Sequence, residues 1–335
     1  MPMNVLVTGG TGIIGVNVVR QLNAQGHTVT VMDVKPDVGF LSDIRSEYRF
    51  VRGDLQDLPW IIELLKQDRI DQIVHLGAVM SPHHTTHPYM LSKINLEGTL
   101  NIFEAAKLCD VGRVIFGSTR GVIARTEGTP YGAPYYDPVP SSFTGPRLPL
   151  TILKRAAEDL GLCYARNGFF EFCAIRYADF YGAERVIKPE RSQASVFNDV
   201  ILAAIDGCSL DLPGADQVFD PVYIKDCAAG TVAACTVEKL PARVYQLGSG
   251  RGIKFGEAVT QVCDHFSAKM ITVAPGFNFA PTEKDPNYCV LDIEDARRDL
   301  GYSPAFGLQE GLADFVLTLE RYRTSGASSA AMVSA

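Results

Sequence analysis

The feature that most constrains the fold is a glycine-rich turn close to the start of the chain. Residues 4–8 form a short apolar run rich in β-branched side chains, which predicts a buried parallel strand. Gly9, Gly12 and Gly15 follow at once, and a helical period of apolar residues begins at Val16. Strand, glycine turn and helix in this order indicate a dinucleotide-binding site. The glycines allow a tight turn, the approach of backbone N–H groups to a pyrophosphate, and close packing of the helix, whose positive end favours the phosphates.

The next strand decides which dinucleotide is expected. A second β-branched run ends in Asp33, at the distance from the glycines where an acidic residue accepts hydrogen bonds from the adenosine ribose. The same carboxylate repels a 2′-phosphate, so NAD is favoured over NADP, and Lys35 weakens this preference without reversing it. A third predicted strand precedes Asp54, which lies beside the adenine, caps the helix at 58–67, or does both. A glycine-rich turn without a ligand is the alternative, and Asp33 disfavours it.

Strands and helices alternate through the first half of the chain. Further strands are predicted at 72–78, 113–119 and 170–176, and further helices at 95–109 and 150–166. This alternation predicts an α/β fold, a Rossmann-type doubly wound parallel sheet with a smaller C-terminal α/β lobe for the substrate. The expected division is an NAD-binding domain at 1–180 with returns near 221–250, a mainly substrate-binding lobe at 181–323, and a flexible tail at 324–335.

The composition disfavours several classes of protein. The net charge of −7 and the lack of a basic run disfavour nucleic acid and anionic membranes as partners. No apolar stretch approaches the roughly 20 residues of a membrane span, and the first strand begins too early to leave room for a signal peptide. The eight cysteines are dispersed without a CxxC pair, which is typical of reduced cysteines. We therefore expect a cytoplasmic protein without disulfides or a zinc site.

Several further motifs follow the glycine turn in order along the chain. They are Asp54, HLGA at 75–78, NLEGT at 95–99, Ser118-Thr119, RYADFYG at 176–182, YIKD at 223–226, YQLGSG at 245–250 and LDIEDARRDLGYSP at 291–304. Together they make nearly the whole chain resemble the extended short-chain dehydrogenases/reductases, the group that contains the nucleotide-sugar epimerases and dehydratases. The resemblance implies an NAD-dependent oxidoreductase with a small-molecule substrate, and a homodimer formed through the helices at 95–109 and 150–166. The cofactor contacts that it implies, with those given above, are Gly9, Thr11, Gly12, Ile13, Ile14, Gly15, Asp33, Asp54, Leu55, Leu76, Gly77, Ala78, Asn95, Lys154 and Tyr177.

The resemblance also implies a catalytic Ser/Thr, Tyr and Lys, with the tyrosine four residues before the lysine on one helix. An ammonium group one turn away lowers the pKa of a phenol from its usual value of about 10, which makes the phenol a better acid and base near neutral pH. Thr119, beside Ser118, matches the hydroxyl residue, and Lys154 matches the lysine. Leu150 stands at the tyrosine position, and a leucine side chain transfers no proton.

Other side chains are therefore candidates for proton transfer. His83, His84 and His87 lie in the loop after the fourth strand, and histidine is suited to proton transfer near neutral pH. Tyr131 lies in the loop that leads to the helix at 150–166. Each of these residues is otherwise a loop residue with surface hydrogen bonds. A histidine metal site is disfavoured because no carboxylate or cysteine joins the three histidines locally.

Two departures from the resemblance concern the substrate. Nucleotide-sugar members are expected to hold the diphosphate with two arginines, which form bidentate charged hydrogen bonds. This chain has Phe219 at the first place and Thr282 near the second, with only Lys284 nearby. A smaller, non-nucleotide substrate with a hydroxyl or carbonyl group is therefore predicted. Its candidate contacts are Met80, Thr119, Arg120 and Phe219.

Three functions stay open on the sequence. Asp33, Thr119 and Lys154 favour an NAD-dependent oxidoreductase, which we take as the leading hypothesis. The loss of the tyrosine favours a non-redox lyase, isomerase or cyclase in which NAD is structural or absent. A catalytically silent NAD-binding protein is the third possibility, because one scaffold supports many activities.

Overall fold

The alternation of strands and helices builds one central parallel sheet. A computed structural model describes residues 2–37, 39–79, 87–123, 149–187, 196–240, 244–277 and 290–324. Within these ranges the strands are β1 (Asn4–Thr8), β2 (Thr28–Asp33), β3 (Tyr48–Arg52), β4 (Gln72–His75), β5 (Arg113–Thr119), β6 (Glu171–Tyr177), β7 (Asp179–Tyr181), β8 (Leu210–Leu212), β9 (Val218–Phe219), β10 (Pro221–Tyr223), β11 (Val244–Leu247), β12 (Ile253–Lys254) and β13 (Ile271–Val273). The described α-helices are α1 (Gly15–Ala24), α2 (Leu58–Gln67), α3 (Pro88–Leu91), α4 (Gly98–Leu108), α5 (Pro149–Arg166), α6 (Val196–Asp206), α7 (Ile224–Thr236), α8 (Phe255–Phe266), α9 (Glu294–Leu300) and α10 (Leu308–Thr324).

The central sheet has the topology that a doubly wound fold requires. Its described strands run in the order β11-β6-β5-β4-β1-β2-β3, and every neighbouring pair is parallel. The strand order reverses its direction at β1, so the carboxyl ends of β1 and β4 flank the crevice where such sheets bind ligands. The predicted fold class is confirmed.

Both faces of the sheet are covered, which explains the unbroken apolar runs of its strands. Val5 and Leu6 are adjacent in β1 and completely buried, yet they belong to two different hydrophobic clusters. One cluster joins the sheet to α1 and α7, and the other joins it to α2, α4 and α5. The sheet therefore forms the middle of three layers.

The later part of the chain supplies a second, smaller packing unit. Helices α6, α8 and α10 share a hydrophobic cluster with β9 and β10. Three short strand pairs accompany it: β7 with β10, β9 with β12, and β8 with β13. The chain also returns to the central sheet, because β11 pairs with β6 and forms one of its edges.

Three local predictions were wrong in detail. Helical structure begins at Pro88, before the predicted start at 95, and a π-helical segment at Ser92–Glu97 joins α3 to α4. Proline favours the first turn of a helix because its φ is already helical. The N-cap of α2 is Asp57, whose carboxylate accepts from the Trp60 N–H at 3.1 Å, and not Asp54. Strand β4 ends at His75, three residues earlier than predicted. Across the described residues, no helix combines the length and the apolar character needed to cross a membrane.

Candidate functional site

The turn between β1 and α1 has no room for a side chain at Gly9, Gly12 or Gly15. Gly9 has a φ of +67°, and a Cβ there would lie 2.7 Å from the Gly77 nitrogen. A Cβ on Gly12 would lie 2.8 Å, and one on Gly15 only 2.2 Å, from the Gly9 carbonyl oxygen. The first turn of α1 carries no acidic residue, and its N-cap, Ile14, makes no side-chain capping bond. The glycine backbone, bare of side chains, and the uncapped positive end of the helix therefore fit a pyrophosphate, as NAD requires.

Asp33 lies directly beside this turn. Its Oδ2 accepts a hydrogen bond of 2.6 Å from the Thr11 hydroxyl, and its Oδ1 accepts one of 2.8 Å from the Val34 N–H. The structure thus brings together two of the predicted cofactor residues and fixes the carboxylate at the end of β2. A negative charge held there fits a ribose that carries free hydroxyls and disfavours a 2′-phosphate.

Leu55 and Gly77 are also in contact beside the turn. A Cβ on Gly77 would lie 3.2 Å from Leu55 Cδ1, and a Cβ on Gly98 would lie 2.7 Å from Leu55 Cβ. Asp54 accepts a hydrogen bond from the Gln56 N–H at 3.0 Å. The predicted residues Leu55, Leu76 and Gly77 therefore lie around the end of β4, where β1 and its glycine turn pass closest.

A buried chain of hydrogen bonds supports this end of β4. His75 Nδ1 is 2.6 Å from the Thr8 hydroxyl, and its Nε2 is 3.0 Å from the Thr99 hydroxyl, which donates to the Asn95 carbonyl at 2.7 Å. Since Thr99 gives its proton to Asn95, the His75 Nε2 donates to Thr99, and in the neutral imidazole Nδ1 then accepts from the Thr8 hydroxyl. Complete burial lowers the pKa of His75 to about 3, with the Lys154 charge as a smaller cause. His75 is thus a structural residue that sequence analysis did not assign.

Asn95 holds the segment that follows β4. Its side-chain oxygen accepts from the Val79 N–H at 2.8 Å, and its NH2 group donates to the Val79 carbonyl at 2.9 Å. The whole amide is therefore bonded to the backbone of one residue. This arrangement makes Asn95 a positioning residue for the loop beside the cofactor turn.

The candidate catalytic residues converge at the end of β5. The Thr119 hydroxyl oxygen accepts from the Gly121 N–H at 3.2 Å, which leaves its proton to be donated elsewhere. Lys154 is buried, and its Nζ donates to the Gly117 carbonyl at 2.6 Å. Leu150, half-buried, precedes Lys154 by one turn of α5 and therefore lies on the same helix face.

Ser118 is bonded to the protein core and not to this cluster. Its hydroxyl donates to Glu158 at 2.5 Å, and Glu158 also accepts from Arg176 at 2.6 and 3.0 Å. Glu158 is almost completely buried. Neither Glu158 nor Arg176 was predicted from the sequence as a site residue. The spacing of four residues between Lys154 and Glu158, which places them on one helix face, was the available signal.

The remaining described candidates have other surroundings. Arg120, directly after β5, forms an ion pair with Asp179, the first residue of β7, with Nη2 at 2.6 Å from Oδ2. Phe219 is buried between Phe197 and Phe255, at ring-centroid distances of 5.3 and 5.7 Å. Tyr177 is buried, and its hydroxyl is bonded at 2.8 Å to Thr231 on α7, whereas Lys154 approaches the sheet from α5 on the other face. Tyr177 is the register partner of Thr119, but its hydroxyl is bonded to Thr231, and Phe219 packs into the aromatic cluster.

Several candidates cannot be placed. Met80, His83, His84, Tyr131, Thr282 and Lys284 lie outside the described residues. His87 is described: it is exposed and precedes α3 without capping it. In the described ranges, no group of three or more His, Cys, Asp or Glu side chains has the arrangement of a metal site.

Comparison with known proteins places this geometry in context. The NAD dependent epimerase/dehydratase family matches residues 5–248. A putative UDP-glucose 4-epimerase of Methanocaldococcus jannaschii is 26% identical over 92% of this chain and 95% of its own. The UDP-glucose 4-epimerase of Thermotoga maritima with UDP-glucose is 26% identical, with a TM-score of 0.78 over 96% of this chain and 99% of that one. The Thermus thermophilus UDP-glucose 4-epimerase with NAD is also 26% identical, with a TM-score of 0.74 and the same coverage. These matches confirm the predicted resemblance, the prediction of an enzyme, and NAD as its cofactor.

Proposed function

Because the chain belongs to the NAD dependent epimerase/dehydratase family, we propose that it is an NAD-dependent oxidoreductase acting on a hydroxyl or carbonyl group of a small, non-nucleotide substrate. The observation that carries the proposal is that Thr119 ends β5 and that Lys154 of α5 is bonded to Gly117 on the same strand, while Leu150 precedes Lys154 by one helix turn. We assign cofactor binding to residues 1–180 with the returns near 221–250, and substrate binding mainly to 181–323.

Different residues of this chain bind the cofactor and the substrate oxygen. The glycine turn and the start of α1 bind the pyrophosphate, and Asp33 accepts hydrogen bonds from the adenosine ribose. Thr119 accepts from the Gly121 N–H, so its own proton is directed to the substrate oxygen, where it stabilises the developing negative charge. Bound NAD supplies the acceptor or donor of a hydride at this edge of the sheet. Leu150 takes no part in proton transfer, so another group must move the proton.

Phe219 supports a non-nucleotide substrate. The resemblance implies an arginine at this position in nucleotide-sugar enzymes, but here an aromatic ring packs between Phe197 and Phe255. No cation thus replaces the expected arginine at that position. The only cation among the proposed substrate contacts that the structure describes is Arg120, which is paired with Asp179 beside Thr119. A polar substrate with a hydroxyl group fits the surroundings of Thr119 and Arg120 better than a diphosphate does.

A turnover assay with two classes of substrate tests the proposal. Purified protein with NAD is mixed with a panel of small polyols and hydroxy acids, or with UDP-glucose, and the near-ultraviolet absorbance of NADH is followed. We expect NADH to form with a small alcohol, and the matched variant Thr119→Val, which keeps the side-chain shape, to lose about 100-fold in turnover. Epimerisation of UDP-glucose, detected by product analysis, would contradict the substrate assignment.

Leu150 supports a second candidate function. A non-redox lyase, isomerase or cyclase does not need the missing phenol, and NAD would then be structural. Product formation without any change in NAD redox state would favour this alternative. Binding of NAD without turnover of any substrate would favour a catalytically silent protein.

We further propose a cytoplasmic homodimer. The described cysteines are all free thiols, which suits a reducing compartment. Tyr89, Met90 and Ile152 are large apolar residues on the neighbouring helices α3 and α5, with exposed fractions of 73%, 50% and 48%. Exposed apolar side chains on two neighbouring helices suit a surface that a second copy covers. Light scattering should give the dimer mass, and Ile152→Lys should give the monomer mass. A monomeric unmodified chain would contradict this proposal.

A further inference from the structure

Lys154 is held in an environment that is unusual for an ammonium group. Its side chain is buried, with 7% of its surface exposed. Its Nζ lies 4.5 Å from the centre of the Phe116 ring and donates to the Gly117 carbonyl at 2.6 Å. Among the described residues, Gly117 is its one hydrogen-bond partner, and no carboxylate lies within ion-pair distance of Nζ.

The charged groups that face Lys154 do not compensate its charge. Glu158 is one turn further along α5, but it is bonded to Ser118 on β5 and to Arg176 on β6. His75 on β4 is neutral and bonded to two threonines. Burial therefore lowers the pKa of Lys154 to about 8, although the Glu158 charge opposes this shift. A substantial fraction of the side chain is then a neutral amine at slightly alkaline pH.

We propose that Lys154 is itself the group that takes the proton from the substrate hydroxyl, in place of the phenol that Leu150 lacks. This inference rests on the proposed function and adds a catalytic role to it. In the oxidation, the substrate C–H bond breaks and its electron pair leaves as hydride to the cofactor. The O–H bond breaks, the proton binds the lone pair of Nζ, and the O–H electrons form the carbonyl π bond. The reverse reaction returns the proton from the ammonium group.

The geometry allows this transfer without rearranging the helix. A neutral amine has two N–H donors and one lone pair, so Nζ keeps its hydrogen bond to Gly117 while the lone pair accepts the proton. Thr119 is two residues beyond Gly117 on the same strand, about 7 Å along it. A substrate oxygen held by Thr119 and one bridging water together span this distance. Leu150 precedes Lys154 by one turn of α5 and supplies neither a charge nor a hydrogen-bonding group.

The first test measures the titration of Lys154 in the full chain without cofactor. Lysines are labelled with 13C at the ε carbon, and the Lys154 resonance is assigned by its loss in Lys154→Arg. We expect its midpoint near pH 8. Lys93, which is ion-paired with Glu97 at the surface and has a raised pKa, is the internal reference and should titrate far higher. A Lys154 midpoint above 10 would overturn the proposal without affecting the proposed function.

The second test uses the pH dependence of turnover. Arginine keeps the charge but does not deprotonate. Lys154→Arg should therefore lose at least 100-fold in turnover, and it should also lose the rise of turnover with pH around pH 8. NAD affinity, measured by calorimetry, should change by less than 10-fold. The control Lys107→Arg alters a surface lysine paired with Glu104 and should behave like the unmodified chain. A turnover of Lys154→Arg that still rises with pH around pH 8 would overturn the proposal. If Lys154 titrates near pH 8 but no alcohol reduces NAD, the proposed function fails, and with it the role of Lys154 in oxidation.

Discussion

Replacing Gly15 with alanine tests how the chain holds its cofactor. The added Cβ would lie 2.2 Å from the Gly9 carbonyl oxygen and 2.7 Å from Gly10 Cα. Ordinary contacts of this kind are 3.4–4 Å, so the overlap exceeds 1 Å, and the atoms it meets are backbone atoms. The start of α1 must therefore move away from the turn, because no flexible side chain is available to yield.

The size of the effect follows from that displacement. Overpacking of a tight contact costs about 1–3 kcal/mol of folding stability. A shift of about 1 Å also takes at least one first-turn N–H group out of hydrogen-bond reach of the pyrophosphate, and a hydrogen bond to a charged group contributes about 1.5–3 kcal/mol. The affinity for NAD should accordingly fall about 10- to 100-fold.

The assay compares Gly15→Ala with Gly112→Ala. At Gly112 the added Cβ would lie 3.6 Å from the Asp71 carbonyl oxygen, which is an ordinary contact far from the cofactor turn. Calorimetric titration with NAD and thermal unfolding are measured on both variants. Gly112→Ala should bind NAD like the unmodified chain. A folded Gly15→Ala variant with unchanged NAD affinity would refute the assignment of this turn to the pyrophosphate.

Three further substitutions test separate parts of the account. Asp33→Arg should reverse the preference from NAD to NADP, since the charge facing the ribose changes sign; equal binding constants before and after would remove Asp33 from the site. Leu150→Tyr should raise alcohol oxidation at least 10-fold by placing a phenol one turn from Lys154, and a folded variant with unchanged turnover would show that the pocket has no room for this chemistry. Glu158→Gln should lower the free energy of unfolding by about 3–5 kcal/mol because it leaves Arg176 uncompensated, whereas the exposed Glu63→Gln should not; similar melting temperatures for both would contradict the buried network.

The strands of the central sheet were predictable because their signal is local. β1, β2 and β5 have the expected bounds, since each is an apolar, β-branched run that ends at a glycine, an acid or a hydroxyl residue. The return of β11 to the sheet edge was expected only as a general region, because its pairing with β6 depends on residues far apart in the chain. The π-helical segment before α4 leaves no clear periodic pattern in the sequence.

The site was predictable in its residue types but less so in its contacts. The glycine turn and Asp33 lie together as their motif requires, because one strand–turn–helix unit positions them. The burial of Phe219 in an aromatic cluster depends on α6 and α8. The family resemblance indicates that Phe219 replaces an arginine, but it does not predict which side chains surround it. The bonding of Ser118 to Glu158 likewise joins side chains 40 residues apart. Tertiary packing decided both outcomes.

Isotopic labelling of the substrate shows whether this chain transfers a hydride to NAD. An alcohol that the enzyme oxidises is prepared with deuterium on the carbinol carbon, and the cofactor is analysed by mass spectrometry after a single turnover. Hydride transfer to NAD at the Thr119–Lys154 site predicts one deuterium in the reduced cofactor. Conversion of the substrate with all deuterium retained in the product, and with no reduced cofactor formed, would contradict the account and indicate a non-redox reaction on this scaffold.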